Sequence, residues 1–171
     1  GNVTFSHVRF GYGEEPLMKD LNVEVKSGQM VAVVGPTGAG KTTLINLLLR
    51  FYDVNGGSIC IDGVDIRDYD LFELRSRLGV IPQKAFLFNG TIADNIRFGK
   101  PDATMEEVMQ AAKTAQAYDF IMEKEHGFEE EITEGATNVS GGQKQRLSIA
   151  RALVRKPDIY VFDDSFSALD F

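Results

Sequence analysis

One short segment constrains the fold of this chain more than any other. Residues 35–42 read Gly-Pro-Thr-Gly-Ala-Gly-Lys-Thr and match the phosphate-binding loop pattern G-x-x-x-x-G-K-[ST] at every fixed position. Its glycines let backbone N–H groups curl around phosphate oxygens, and the following helix points the positive end of its dipole at the same charge. We expect Lys41 to reach the β- and γ-phosphates and Thr42 to ligate Mg²⁺. The segment therefore predicts a nucleoside triphosphate site.

The surrounding sequence favours this interpretation over a simple glycine-rich turn before a helix. Residues 31–34, Val-Ala-Val-Val, form a β-branched run that is typical of a buried strand. Residues 43–49 form an apolar helix opening. Strand, loop and helix thus follow in the order that a phosphate-binding loop requires.

Size and composition limit the possible functions. The 171 residues suit one domain, and the chain begins in a strand pattern and stops within a motif, so we expect a fragment of a longer protein. A net charge of -7, without a Lys/Arg run, argues against general nucleic-acid binding. Cys60 is the only cysteine, which favours a reducing compartment. No apolar run approaches the length of a membrane span.

Hydrophobic patterns predict the order of the elements. Alternating residues predict antiparallel strands near the N-terminus, whereas the later alternation of strands and helices predicts a parallel α/β core. A capping box at Thr104 and Glu107 opens a helical insert. The predicted strands are residues 3–5, 8–10, 21–25, 58–61, 79–81 and the buried run 159–162, and the predicted helices include 71–78 and 143–154.

The predicted fold class is therefore α/β: a P-loop NTPase with a parallel core sheet, an N-terminal antiparallel β subdomain and a helical insert. We assign residues 1–27 to the antiparallel part, residues 28–86 and 155–171 to the nucleotide-binding core, and residues 87–154 to the helical subdomain.

Two acidic residues follow the last predicted strand. A Mg²⁺-nucleotide site needs a carboxylate at a strand end, and Asp163 supplies one. Alone, Asp163 would fit an ordinary strand-to-loop turn equally well, but the phosphate-binding loop favours the metal role. Adjacent residues at a strand end point in different directions, so we expect that Asp164 could act as a base for water, the alternative being a solvated loop acid.

A second anion site is predicted at residues 139–143, Val-Ser-Gly-Gly-Gln. This segment offers a hydroxyl, two glycine N–H groups and a helix start. Together with the phosphate-binding loop it gives one chain two predicted anion sites, which suggests that two chains share two nucleotides. The alternative is a capped helix after a glycine turn.

Taken in order, these motifs resemble the nucleotide-binding domain of an ABC transporter, and the resemblance covers nearly the whole chain. It implies ATP and Mg²⁺ as cofactors and an ATPase activity coupled to transport. Residues 81–96 are similar to the exporter branch, in which this segment touches the membrane domain. The implied ATP contacts are Tyr12, stacking on adenine, and Gly35, Pro36, Thr37, Gly38, Ala39, Gly40, Lys41, Thr42 and Thr43. The implied Mg²⁺ ligands are Thr42, Gln83 and Asp163, and Gln83 would also sense the γ-phosphate.

The resemblance also implies partners. Members of the family pair head to tail, so each ATP lies between one phosphate-binding loop and the other subunit's signature segment. The signature residues are Ser140, Gly141, Gly142 and Gln143. Asp170 resembles the residue that communicates across the dimer, and Glu134 lies where exporters contact the coupling helices. A transmembrane permease, usually fused upstream, would place the domain at the cytoplasmic face of the plasma membrane.

Two departures from the family pattern qualify the expected activity. Asp164 stands where the family usually has a catalytic Glu, and its shorter side chain predicts a weaker base. The signature segment is intact except for Val139, where the family more often has Leu. A weakened base beside an intact signature resembles one half of a heterodimeric exporter, in which this chain's phosphate-binding loop and Asp164 would form the slower of the two ATP sites. The family's switch histidine would lie beyond residue 170, so we expect the isolated chain to bind ATP better than it cleaves it.

An alternative of a different class is a non-transport, ATP-dependent dimerisation module, as in soluble relatives that act on DNA or ribosomes. A basic surface or a long coiled-coil insert would favour it, and the sequence has neither.

Overall fold

The computed structural model describes residues 1–32, 39–82 and 84–163. It divides the chain into two compact units, Gly1–Leu78 and Gly79–Phe171. Several predicted site residues lie outside the described residues: Gly35, Pro36, Thr37, Gly38, Gln83, Asp164 and Asp170.

The first unit is built around an antiparallel sheet with the strand order β2-β1-β3-β4. Its apolar residues Val3 and Phe5, and then Val8 and Phe10, are buried, and the alternation shifts by one residue between the two pairs, where the register of β1 is irregular and His7 has a φ of 48°. The elements are β1 (Val3–Phe10), β2 (Met18–Val25), α1 (Ala39–Leu48), β3 (Gly56–Ile61), β4 (Val64–Asp65), a 3-10 turn (Ile66–Asp68) and α2 (Leu71–Ser76).

The antiparallel sheet is larger than the sequence predicted. Residues 58–61 were assigned to the parallel core, but β3 pairs antiparallel with β1 and β4, so that assignment is wrong. The pairing of β3 with β4 follows from a two-residue hairpin at Asp62 and Gly63, whose φ angles of 51° and 80° fit a type I′ turn. The turn sends the chain straight back along β3, whereas a parallel arrangement would need a crossover.

The predicted strand at residues 31–34 is not formed at its described residues. Val31 and Ala32 carry no regular structure, and Val31 is half exposed. An apolar run becomes a strand only where neighbours pair with it, and no described strand pairs with these two residues. Residues 33 and 34 lie outside the described part of the chain.

The second unit is mainly helical, and α6 packs against α3 and α4 around one apolar cluster. Its elements are β5 (Leu78–Ile81), β6 (Gly90–Thr91), α3 (Ile92–Arg97), α4 (Met105–Thr114), α5 (Tyr118–Glu123), β7 (Glu131–Ile132), α6 (Gly141–Val154) and β8 (Ile159–Phe162). Two 3-10 turns, Gly127–Glu129 and Glu134–Ala136, flank β7. The predicted capping box is present, because Thr104 accepts from the Glu107 amide while the Glu107 carboxylate accepts from the Thr104 amide.

β5 and β8 form a two-stranded parallel sheet. The prediction that β8 is buried is wrong, since Ile159 and Val161 are only partly buried and Tyr160 and Phe162 are 39% and 38% exposed. In the described part of the chain β5 is the one strand that pairs with β8, and the more exposed side chains Tyr160 and Phe162 alternate with partly buried ones, so they lie on one face of the strand. No helix among the described residues is long and apolar enough to cross a membrane.

Candidate nucleotide-binding site

Helix α1 presents the described end of the phosphate-binding loop. Its first turn contains no acidic residue, so nothing in that turn offsets the positive end of the helix dipole. Lys41 is partly buried, Thr42 is exposed and Thr43 is 1% exposed. The apolar residues of the helix, including the buried Leu47, anchor it in the first unit. An exposed hydroxyl and a cation at a helix start can bind phosphate and Mg²⁺.

Tyr12, the predicted adenine platform, is tied to the same helix. Its hydroxyl lies 3.0 Å from the Thr43 hydroxyl, and the Asn46 side-chain amide donates to the Tyr12 hydroxyl at 3.4 Å. The rings of Phe10 and Tyr52 both meet Tyr12 edge to face, with ring centroids 5.0 Å away. Tyr12 is still 51% exposed, which leaves aromatic surface for a base. The structure thus brings together Tyr12 and Thr43, two residues that the sequence assigned to ATP.

Asp163 lies directly after β8 in the second unit. Its amide donates to the Ile81 carbonyl at 3.0 Å, which fixes the main chain at the end of the parallel pair β5 and β8. The carboxylate is partly exposed. Carboxylate, hydroxyl and amide oxygens, the groups of the three predicted ligands Asp163, Thr42 and Gln83, are each of the hard oxygen type that Mg²⁺ prefers. The metal roles of these three residues stay predictions.

The signature segment is a capped helix start. The Ser140 hydroxyl accepts from the Gln143 amide at 3.2 Å, and the Gln143 side chain accepts from the Ser140 amide at 3.0 Å. Gly141 has open space where a Cβ would lie, and the first turn of α6 contains no acidic residue. This arrangement is compatible with both sequence interpretations, the capped helix and the anion site.

Asn138 braces the loop before the signature, and the sequence analysis missed it. Its amide nitrogen donates to the Glu131 carbonyl at 2.8 Å, and its side-chain oxygen accepts from the Thr133 amide at 3.2 Å. Its own carbonyl accepts from the Lys124 ammonium at 2.8 Å. Glu134 is exposed in the turn that this network closes. An Asn beside a turn is a common signal for such backbone bonding.

A second missed group surrounds Arg151 on α6. Its guanidinium donates to the Phe86 carbonyl at 2.7 Å and to the Asn95 carbonyl at 2.9 Å. It also lies over the rings of Phe88 and Phe98, at 4.7 and 5.6 Å from their centroids. Burial lowers the pKa of the Arg151 guanidinium from its ordinary value. Arg151 thus fixes residues 86–95, the part of the chain that the sequence likened to exporters.

Phe86, Phe88 and Phe98 form an aromatic patch. Phe88 contacts Phe86 and Phe98 at centroid distances of 5.4 and 4.5 Å. Phe86 and Phe98 are 67% and 64% exposed. Clustered exposed aromatic rings are more typical of an interaction surface than of a free surface.

Comparison with known proteins gives one family. A model of the ABC transporter family matches residues 18–167. The putative multidrug export ATP-binding/permease protein YgaD of Bacillus subtilis (strain 168) is 47% identical over 99% of this chain and 30% of its own length. A protein with the same description from Staphylococcus aureus (strain NCTC 8325 / PS 47) is 48% identical over 99% of this chain and 30% of its own length.

A solved structure extends the likeness to three dimensions. The structure of a bacterial Atm1-family ABC exporter with ATP bound is similar with a TM-score of 0.91 and 46% identity, covering 99% of this chain and 30% of that one. The chain thus spans about 30% of the length of these relatives. The predicted fold class and family resemblance are confirmed: the chain belongs to the ABC transporter family and has its P-loop NTPase fold.

Proposed function

We propose that this chain is the ATP-binding domain of an ABC exporter, in which ATP binding and hydrolysis at a head-to-tail dimer drive transport. The observation that carries this proposal is the likeness to an ATP-bound exporter, at 46% identity over 99% of the chain. The multidrug export relatives support the same conclusion.

The described residues support specific roles in holding ATP. The Lys41 ammonium and the N-terminal amides of α1 bind the phosphates, and the Thr42 hydroxyl ligates Mg²⁺. The exposed ring of Tyr12 stacks on adenine, and its hydroxyl bond to Thr43 links the base platform to the phosphate-binding helix. Asp163 would hold Mg²⁺ from the end of β8, and Gln83 would be a further ligand. Bound Mg²⁺ neutralises charge on the phosphates during hydrolysis.

The signature segment completes the site of a second ATP-binding domain. The Ser140 hydroxyl and the amides of Gly141 and Gly142 would meet the γ-phosphate of an ATP held by the partner. Their capping box keeps the start of α6 ordered before the partner arrives, which lowers the entropy cost of binding. Asp170 would relay the state of one site to the other.

The finer proposal concerns Asp164. We propose that this domain forms the slow site of a heterodimer, because Asp is one methylene shorter than the usual Glu. Asp164→Glu should then raise ATP turnover of the assembled full-length protein without changing ATP affinity. A sharp fall in turnover would mean that Asp164 already acts as an effective base, positioned for its shorter side chain. The slow-site proposal would then be wrong.

The aromatic patch supports a membrane partner. Phe86 and Phe88 lie within the exporter-like segment, and the exposed rings of Phe86 and Phe98 offer an apolar surface. We propose that this patch faces a permease domain of the same polypeptide, which holds the ATP-binding domain at the cytoplasmic face of the plasma membrane. The ATP-binding/permease descriptions of the relatives support a fused permease. They do not favour the alternative of a non-transport dimerisation module.

The test is ATP turnover by the full-length protein in a lipid bilayer. Lys41→Ala should abolish turnover and weaken ATP binding, because it removes the cation that meets the β- and γ-phosphates. Lys19→Ala, an equal change at an exposed position of β2, is the control and should behave as wild type. Turnover that survives Lys41→Ala unchanged would refute the proposed site.

A further inference from the structure

The loop that leads into the signature, residues 133–138, is held by a lysine from another element. The Lys124 ammonium donates to the Asn138 carbonyl at 2.8 Å, across 14 positions of the chain. Lys124 directly follows α5, where its amide donates to the Ile121 carbonyl at 3.1 Å and its carbonyl accepts from the Gly127 amide at 3.1 Å. Because both main-chain groups of Lys124 are bonded and Ile121 is buried, the lysine side chain reaches the loop from a fixed base.

Asn138 closes the same loop on itself. Its side-chain nitrogen donates to the Glu131 carbonyl of β7 at 2.8 Å. Its side-chain oxygen accepts from the Thr133 amide at 3.2 Å and from the Thr133 hydroxyl at 3.1 Å. The next residue, Val139, is 6% exposed and belongs to the apolar cluster of the second unit. The chain is therefore anchored at both residues that directly precede Ser140.

The backbone of this loop is strained. Gly135 and Ala136 have φ angles of 75° and 52°, a left-handed conformation that glycine adopts readily and alanine does not. A residue keeps such a conformation only where its surroundings hold it there. Ala136 is 6% exposed, and its amide donates to the Thr133 carbonyl at 2.7 Å. The Lys144 ammonium of α6 donates to the Gly135 carbonyl at 3.5 Å. The loop thus keeps a shape that needs these bonds.

The anchored loop sets the direction in which the chain enters α6. The capping box of Ser140 and Gln143 orders the first turn of the helix but does not fix the residues before it. Contacts of the residue before the N-cap fix that entry angle, and here the buried Val139 and the bonded Asn138 make them. A ligand that must first order such a segment binds less tightly than one that meets it already ordered.

We propose that Lys124 and Asn138 are positioning residues that fix the signature segment for the partner's ATP. The inference rests on the proposed head-to-tail function and names residues outside the signature on which that function depends. Without the Lys124 bond, the strained loop relaxes and the signature leaves its binding position for part of the time. The apparent affinity for the partner's ATP then falls, because only the ordered fraction of the chains can bind it.

The test measures ATP turnover against ATP concentration for the full-length protein in a lipid bilayer, in wild type and in Lys124→Met. Methionine keeps an unbranched apolar stem but cannot donate a hydrogen bond. We expect KM for ATP to rise about fivefold, the value of one typical hydrogen bond, while kcat stays within about twofold. Lys124→Arg can still donate to the Asn138 carbonyl, so its KM should stay within about twofold of wild type.

A matched control separates positioning from stability. Lys113→Met removes a lysine of α4 whose ammonium lies 4.9 Å from the centroid of the Tyr118 ring, so it also loses a contact in the second unit. Its KM should equal that of wild type. A variant that is merely less stable has less active protein, which lowers the apparent kcat and leaves KM unchanged.

A second variant tests the other half of the brace. Asn138→Ala should also raise KM, and its combination with Lys124→Met should raise KM by less than the product of the two single effects, because both residues hold one loop. An unchanged KM in the folded variants, or a fall in kcat alone, refutes the inference while Lys41-dependent turnover of wild type keeps the proposed function. If wild type shows no Lys41-dependent turnover, the proposed function fails and the inference fails with it.

Discussion

Asn95 offers the sharpest test of how the second unit is held together. It is 1% exposed on α3, and its side chain bonds the loop that precedes the helix. The side-chain oxygen accepts from the Phe88 amide at 2.9 Å, and the nitrogen donates to the carbonyls of Phe88 and Thr91 at 3.1 and 2.9 Å. Asn95→Ala removes all three bonds and keeps the helix, since Ala is a good helix former.

The expected loss follows from those bonds. A neutral hydrogen bond contributes about 1 kcal/mol net, so three lost bonds weaken this region by about 3 kcal/mol. The weaker contact from Arg151, at 3.3 Å, adds little because Arg151 keeps its bond to the Asn95 carbonyl. A difference of about 3 kcal/mol corresponds to roughly a hundredfold change in the local opening equilibrium.

Hydrogen exchange measured by mass spectrometry on the full-length protein reports this opening directly. Peptides that cover residues 86–98 should exchange about a hundredfold faster in Asn95→Ala than in wild type, at the estimate of roughly 1 kcal/mol per bond. Asn22→Ala, a change of the same kind on the exposed side of β2, should leave these peptides unchanged. Exchange in Asn95→Ala within about threefold of wild type would refute the reasoning, since it would mean that the bonds contribute almost nothing.

Three further predictions concern the rest of the chain. Gly57→Ala should destabilise the first sheet by about 3 kcal/mol or more, because the added Cβ would lie 2.2 Å from the His7 carbonyl oxygen of β1. Gly63→Ala is the control: it has a similar positive φ but open space around the added Cβ, and should cost only about 1 kcal/mol. Hydrogen-exchange protection of β1 measures both losses. Tyr12→Phe, which loses only the two hydroxyl bonds to Thr43 and Asn46 of α1, should weaken ATP binding less than about threefold, and Tyr12→Ala should weaken it about tenfold in a titration. Bonds from the Thr91 amide and hydroxyl hold the pKa of Asp94 below its ordinary value, so its stabilisation is full above the unfolded-state pKa and is lost as pH falls through the folded pKa. Asp94→Asn should therefore reduce α3 protection at neutral pH, and the difference should shrink as the pH falls below the unfolded-state pKa of about 3.9 and vanish below the lower folded-state pKa.

Local signals in the sequence predicted much of the fold. The capping box at Thr104 and the strand pattern of β1 follow from residues close together in the chain, and both are present. The placement of β3 failed although the Asp62-Gly63 hairpin signal was readable, because alternating strands and helices were given more weight than turn chemistry. The exposure of β8 depends on which elements pack against its two faces, and the apolar run alone does not say that.

The candidate site likewise contains residues that the local sequence reveals and residues that it does not. Lys41 and the signature residues lie in linear motifs whose spacing reflects phosphate chemistry, so the sequence reveals them. Lys124 and Arg151 act on main-chain carbonyls 14 and 65 positions away, at Asn138 and Phe86. Such bonds depend on how distant segments meet in the folded chain, so residue type and local spacing carry no signal for them.

The most direct test of the central claim is to find which residues ATP contacts in a chain whose own ATP site is weakened. A full-length Lys41→Ala protein, assembled with its wild-type partner domain, would be incubated with Mg²⁺ and ATP carrying a photoreactive group on the γ-phosphate. After illumination, mass spectrometry should find the label on residues 139–143 of the Lys41→Ala chain, because the partner's ATP meets this signature. A signature labelled only when its own Lys41 is intact, or never labelled, would contradict a nucleotide site shared head to tail.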